Sequence, residues 1–385
     1  MKINIHSEIK QIPADSWNAL VKDNNPFMRH EFLCALENNH CVGKEFGWFP
    51  CHIAIYSEDS DDDTESLIGA MPLYQKTNSY GEFVFDHSWA DAYQRNNLAY
   101  FPKLVSAIPY TPASGQRLLV SEKNPEITPE DIYKLLINTV KQFANEQKIS
   151  SFHCLFPEKT EQQWMEQNGL LSRHDCQFHW HNDNYKHFDD FLEKLTPKKR
   201  KNIRQERRRV EQQNINLRVL NGDTATTKDW QHFSQFYNQT FIEKSGYPTM
   251  NQAFFIEVAQ KLPKQVLLIL ADNSEGKCIA GSLMFSSDTK LYGRHWGSSE
   301  QVDSLHFEAC YYQGIEHCIT HQLQAFEPGA QGEHKIARGF VPTLTKSSHW
   351  LNNSPFQESI ENFVKHEQAG VAHYMQSLKS PYKKT

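Results

Sequence analysis

Apolar residues recur along this chain at two periods, one helical and one strand-like. Between 128 and 145, Ile132, Leu135, Leu136, Val140 and Phe143 return every few residues, the stripe of an amphipathic helix. Phe188, Phe191, Leu192 and Leu195 repeat that pattern. Thr196-Pro197 then opens a further helix, with an N-cap residue followed by Pro at the first position. Helices are also predicted at 15–20, at 29–37, and from Ser304 as N-cap to about 320. Short apolar or alternating runs predict strands at 52–56, 67–73, 83–87, 103–108 and 118–120. In the second half the same signal marks 177–181, 266–270, 278–285, 291–296 and 323–326. The acidic stretch 58–65 reads as a solvated hairpin tip.

The order strand, hairpin, strand, helix, strand and Pro/Gly turn occurs twice. Residues 67–71 can be laid over 278–282, Tyr80-Gly81 over Tyr292-Gly293, and the turn TPASGQR at 111–117 over EPGAQGEHK at 327–335. An α/β protein with mixed sheets is therefore expected, built from two tandem copies of one module, 1–175 and 176–385. A length of 385 residues is enough for two cores of ordinary size.

Composition removes several classes of function. The net charge of −6 gives no global attraction to nucleic acid or membrane. Eight cysteines are scattered without a CxxC pair, which suits a reducing compartment. The opening MKINIHSEIKQIP has no apolar signal region, and no run approaches the ~18 apolar residues of a membrane span. A cytoplasmic protein without membrane insertion is expected. His317 and His321 have i, i+4 spacing, but no third ligand set accompanies them, so no metal is expected.

Candidate chemistry concentrates in 291–340. Arg294, His295 and Trp296 lie on a predicted strand; Arg294 and His295 should face opposite sides, so only one can face a site. His295 suits a proton shuttle. Glu308 shares a helical stripe with Leu305, Tyr312, Ile315 and Ile319. A carboxylate there loses hydration and becomes a better base, unless Arg294 or a tyrosine pairs with it. Glu327 and Glu333 flank the turn PGAQG, where Gly329 and Gly332 let the backbone approach an anion or a carbonyl oxygen. His334 follows, then Lys335 as a point charge and Arg338 as a bidentate fork for phosphate or carboxylate. The run 198–209 holds eight basic residues, Arg204 among them, and one acid, Glu206. Ile203 and Val210 form its narrow apolar seam. Such a helix is usually just solvated, but it also suits phosphates or an anionic acceptor. In the first half, TPASGQR with Arg117 is either an anion cradle or a plain turn.

The segments PFMRHEFLCALE, TPASGQRLL, FHWHN, KKRKNIRQERRRV, YGRHWG and FEPGAQGEHKIARGF resemble the FemAB-like predicted N-acyltransferases, over about 24–350. The resemblance implies two tandem acetyltransferase (GNAT) folds and transfer of an acyl or aminoacyl group to an amine. Better-studied members of the group add amino acids from aminoacyl-tRNA to peptidoglycan precursors. Many acetyltransferases of this fold hold the coenzyme A pyrophosphate with a Q/R-x-x-G-x-G/A loop. Here GSSEQVDS stands in its place, and Gln94-Arg95 lacks the glycines. The expected donor is thus aminoacyl-tRNA, a carrier-bound acyl group, or an acyl-CoA held in another way. The expected acceptor is a small-molecule amine or a peptidoglycan precursor. Glu308, Glu333 and His295 are assigned to catalysis. Arg294, Trp296, Tyr312, Glu327, Gly332, His334, Lys335, Arg338 and Arg204 are assigned to substrate binding. The competing expectation is a non-catalytic protein that binds RNA or an anionic cell-wall precursor through 198–209.

Overall fold

The computed structural model of the protein describes residues 1–58, 65–122, 127–330 and 332–383, and the chain forms two compact units. One comprises Met1–Asp175 with Leu344–Tyr374, the other Cys176–Thr343 with Met375–Thr385. Residues 344–374, which chain order would assign to the second module, thus fold with the first unit. The tip expected at 58–65 falls mostly outside the described residues.

The first unit begins with strands β1 (Lys2–His6), β2 (Trp48–Pro50), β3 (His52–Glu58), β4 (Glu65–Met71), β5 (Tyr74–Lys76), β6 (Lys103–Ser106), β7 (Leu119–Val120) and β8 (Ser151–Leu155). Its helices are α1 (Ala14–Asn18), α2 (His30–Asn38), α3 (His87–Arg95), α4 (Pro129–Glu146) and α5 (Lys159–Gln167). Strands β1, β3, β4 and β7 form an antiparallel sheet. Strand β5 runs antiparallel to β2 and β6, and β6 runs parallel to β8. Helix α4 starts where its stripe says. Thr128 accepts the Asp131 N–H at 3.2 Å, and Ile132, Leu136 and Val140 share a core with Ile53, Ile55 and Leu104. The strand expected at 83–87 is instead the entry to α3, with Phe83 at φ +60°. Arg117 is buried and donates to the carbonyls of Ala113 (2.7 Å) and Leu155 (2.9 Å), so TPASGQR is a braced turn.

The second unit contains α6 (Phe188–Lys194), α7 (Pro197–Gln212), β10 (Asn216–Leu220), α8 (Thr227–Glu243), α9 (Gln252–Lys261), β11 (Val266–Asp272), β12 (Cys278–Ser286) and β13 (Lys290–Ser298). Strand β9 (Leu171–His181) carries the chain into it. A composite helix α10 over 305–320 follows β13, then β14 (Ala325–Glu327) and a 3-10 helix (Glu333–Arg338); β15 (Val341–Leu351) and α11 (Gln357–Ser377) then belong, from Leu344 to Tyr374, to the first unit. Strands β10 to β13 pair as antiparallel neighbours, and β14 runs parallel to β13 and antiparallel to β9. Helix α8 lies close against β13: a Cβ on Gly297 would sit 2.2 Å from the Phe236 carbonyl oxygen.

Each unit thus holds a parallel strand pair joined through a helix, β6–α4–β8 and β13–α10–β14. That equivalence places TPASGQR opposite GSSEQVDS, ahead of the helix. It places Phe156-Pro157 opposite Glu327-Pro328, after the second strand. The expected overlay of TPASGQR on EPGAQGEHK is therefore out of register by one helix and one strand. Tyr80-Gly81 lies in a turn, whereas Tyr292-Gly293 lies in β13.

In the first unit, His153 of β8 and His349 of β15 are direct cross-strand partners, with Nδ1 to Nδ1 at 2.5 Å. Ser151 and Ser347 reach the respective Nε2 atoms at 2.8 Å. Burial holds both histidines well below the usual imidazole range, with their neighbouring cations and, for His349, the partner ring adding to it. The pair therefore stays neutral when folded. Its stabilising contribution is complete above the unfolded histidine value near ~6.5 and is lost as pH falls below it, by about 1.4 kcal/mol per pH unit per histidine. Urea unfolding between pH 7 and 5 should show a shallower loss in His349→Asn than in the natural protein. Equal slopes would contradict neutral burial.

Candidate active site

The site grows from the inner face of α7. Pro197 occupies its first turn as expected, although Thr196 makes no side-chain cap bond. Ile203 and Val210 are buried, and Val210 packs with Ala271, Ile279, Ala280 and Leu305. Two charged residues flank this seam and point inward. Glu206, the lone acid of the basic run, accepts from Arg338 Nη2 at 2.7 Å and Nε at 3.2 Å, and from the Tyr312 hydroxyl. Arg207 grips Glu308 at 3.0 and 3.1 Å and Glu316 at 2.7 and 3.1 Å, and lies 4.7 Å over the Phe188 ring.

These bonds decide the role of the α10 stripe. Glu308 is buried, but its partners are Arg207 and Gln313 Nε2 at 2.8 Å, where Arg294 or a tyrosine was expected. It sits at the start of a π-helical turn, Glu308–Tyr312, a local widening common at functional sites. Burial and the bond to Glu206 push the Tyr312 phenol up. Ser304 opens α10 at φ +67° and donates to Asp303 in place of capping. Nearby, Asp303 pairs with Arg209 at 3.1 Å and Glu300 with Lys277 at 2.8 Å. Carboxylates therefore stand just ahead of α10, where a pyrophosphate loop would present backbone N–H groups.

The turn after β14 supplies the other wall. Gly329 and Gly332 have φ of +100° and +115°. A Cβ on Gly332 would lie 2.4 Å from the His334 ring, so glycine lets that ring fold back on the turn. There His334 Nε2 meets the Tyr311 hydroxyl at 2.9 Å. Arg338 donates to the His334 carbonyl at 2.8 Å and lies 3.3 Å from the Phe307 ring centre. Lys335 is 2% exposed, and its Nζ donates to the Gly329 carbonyl at 2.7 Å. Among the described residues no second acceptor reaches it, so two of its three ammonium N–H groups have no acceptor there. Burial pushes Lys335 down to about 8. Burial also pushes the neighbouring Cys310 thiol up to about 12 and His306 down to about 4. The Trp296 ring stands 5.3 Å from that of His306. Trp296, His306, Cys310, Tyr311, His334 and Lys335 are thus gathered around α10 and the turn.

Other expected site residues go elsewhere. Leu283 pairs with His295 and Met284 with Gly293, so Arg294 is the extra residue of a β-bulge. The bulge removes the alternation that would have set Arg294 and His295 on opposite faces. His295 stacks edge-on with Tyr237 of α8 at 5.0 Å, and the same tyrosine acts electrostatically on Arg294. Burial, reinforced by Arg294, holds His295 well below the usual imidazole range. Glu327 is buried against Lys290 at 3.0 Å, and Glu333 is exposed at the first position of the 3-10 helix. Arg204 makes an exposed ion pair with Asp189 at 2.9 Å. The sequence reading missed Glu206, Arg207 and Tyr311. Of these, only Glu206 left a signal, as a single acid in a basic run.

The clasp between Glu206 and Arg338 should be worth about 2 kcal/mol of coupling in a double-mutant cycle of Glu206→Gln with Arg338→Met. Additive effects on urea stability would mean that the clasp carries no energy.

Solved structures that share this fold include the following two. FemX aligns over 94% of this chain and 100% of its own, with a TM-score of 0.53 and 11% identity. A conserved protein of unknown function from Bacteroides thetaiotaomicron aligns over 90% of this chain and 99% of its own, with a TM-score of 0.52 and 10% identity. At such identities the likeness is one of fold. No curated protein sequence matches. The family of peptidoglycan biosynthesis and recognition called FemAB-like matches residues 8–384, nearly the whole length. With two α/β units of mixed strand direction and a family match from end to end, this chain belongs to the FemAB-like family.

Proposed function

We propose that this protein is a transferase that moves an acyl or aminoacyl group from an activated donor to an amine of a peptidoglycan precursor, with the reaction at His334 and Lys335. The observation that carries this reading is the buried Lys335 ammonium, which among the described residues has one backbone acceptor and two N–H groups left over. When an amine attacks an activated carbonyl, charge develops on the carbonyl oxygen. A dry ammonium aimed at that oxygen stabilises the tetrahedral state more than the ground state. The amine must also lose a proton. His334 lies at the exposed rim, where partial desolvation and the nearby Arg338 and Lys335 cations lower its imidazole from the ordinary value, and its ring is oriented by Tyr311. With Nε2–H donating to the Tyr311 oxygen, Nδ1 is suited to take that proton and to return it to the donor's leaving oxygen or sulfur as the carbonyl re-forms and the donor–acyl bond breaks. The exposed Glu333 would hold the incoming ammonium at the rim.

In this reading Glu308 and Tyr312 are positioning residues: they fix α10 to α7 through Arg207 and Glu206. His295 acts through the packing of β13 on α8. The carboxylates ahead of α10 favour a donor held away from that helix start, as an aminoacyl-tRNA would be. Among the described residues no group of His, Cys, Asp and Glu side chains could hold a metal ion, and the proposed chemistry needs none.

The test is a transfer assay with labelled aminoacyl-tRNAs and acyl-CoAs, offered with a precursor peptide that bears a free amine. Label should appear on the amine from one donor class. Lys335→Met should lower kcat/KM by about 100-fold or more, the usual effect of losing one oxyanion donor. Transfer unaffected by Lys335→Met, or none from any donor, would overturn the assignment. The charged form of Lys335 is the active one, so kcat/KM should fall as pH rises through about 8. In Lys335→Arg that descending limb should move to higher pH; a limb that stays in place would assign it to another group.

A further inference from the structure

The outer face of α7 is a row of cations that the site does not use. Lys198, Lys201 and Arg208 are exposed. On a helix of 3.6 residues per turn, Lys201 and Arg208 lie opposite the buried Ile203 and Val210, and Lys198 and Arg204 flank them. Lys198 to Arg208 spans about 15 Å along the axis. Arg204 and Arg209 are held by Asp189 and Asp303. Among the described residues Lys198, Lys199, Arg200, Lys201 and Arg208 make no ion pair, in a chain whose net charge is −6. Glu211 is the one exposed acid of this helix and lies at its far end. Because Glu206 and Arg207 lock the inner face, the row is a fixed ridge.

We propose that this ridge docks the second unit on an anionic phospholipid surface. A convex line of lysine and arginine meets a flat layer of phosphates along its whole length, and each cation near such a surface adds roughly 1 kcal/mol, about a 5-fold gain. The shape fits RNA less well. Single strands are held in grooves with aromatic stacking platforms, and double strands need contacts across two grooves. The exposed face of α7 offers Asn202, Gln205 and Gln212 between its charges, with no aromatic residue on the helix. This surface stands on charge and shape alone, independent of the transferase reading.

Flotation with vesicles of phosphatidylcholine, with and without phosphatidylglycerol, tests it. Binding should require phosphatidylglycerol and weaken as salt rises. The triple variant Lys198→Gln/Lys201→Gln/Arg208→Gln should bind about 100-fold more weakly. Its melting curve should stay unchanged, since among the described residues these side chains make no ion pair to lose. No binding to the anionic vesicles, equal binding by the triple variant, or binding to a mixed-sequence RNA but not to vesicles would each overturn the proposal.

Discussion

The second unit depends on two side chains that α7 sends inward. Glu206 ties Arg338 and Tyr312 to the helix, and Arg207 ties Glu308 and Glu316. One helix is thereby fixed both to the strand-joining helix α10 and to the turn that carries His334 and Lys335. Buried ion pairs contribute little net stability, because desolvation offsets most of the attraction. Their value here is geometric. Bidentate arginine–carboxylate bonds hold orientation as well as distance. They add to the Lys335–Gly329 and Tyr311–His334 bonds in fixing the 3-10 helix that follows the turn.

The same arrangement sets the local charge. Glu206 neutralises Arg338, whereas Lys335 has only a carbonyl for a partner. Among the described residues Lys335 is therefore a buried cation without an anionic partner. That cation, together with Arg338, adds to desolvation in lowering the His306 and His334 imidazoles. Desolvation lowers Lys335 as well, the shift that would be relieved by a negative oxygen in the proposed reading. The helix start, where related folds hold a pyrophosphate, is instead lined by Glu300 and Asp303 with their own partners.

Much of the fold was legible in the sequence, because local periods and punctuation carry it. The α4 stripe, the Thr196-Pro197 start and the strands 266–270 and 278–285 all appear near their expected places. The two-module organisation was also legible, but its register was not. The helices that join the parallel strands differ in length and sequence, so two Pro/Gly turns were matched that are not topological equivalents. The bulge at Arg294 left no sequence mark, and it changed which face Arg294 and His295 share. Of the site, the EHK turn could be found from its glycines and charges. The partner of Glu308 could not, since Arg207 stands about a hundred residues away in a run that reads as surface. Helix α8 went unpredicted although Trp230, Phe233 and Tyr237 recur at helical spacing, whereas α11 buries only Ile360 and Val364 and has little stripe to find.

The most direct measurement is a crystal structure with a donor analogue whose scissile carbonyl is replaced by a phosphonate. The account predicts a phosphonate oxygen in hydrogen-bond contact with Lys335 Nζ, beside the His334 ring. An analogue bound against Arg294 and His295, with Lys335 still held only by the Gly329 carbonyl, would contradict it.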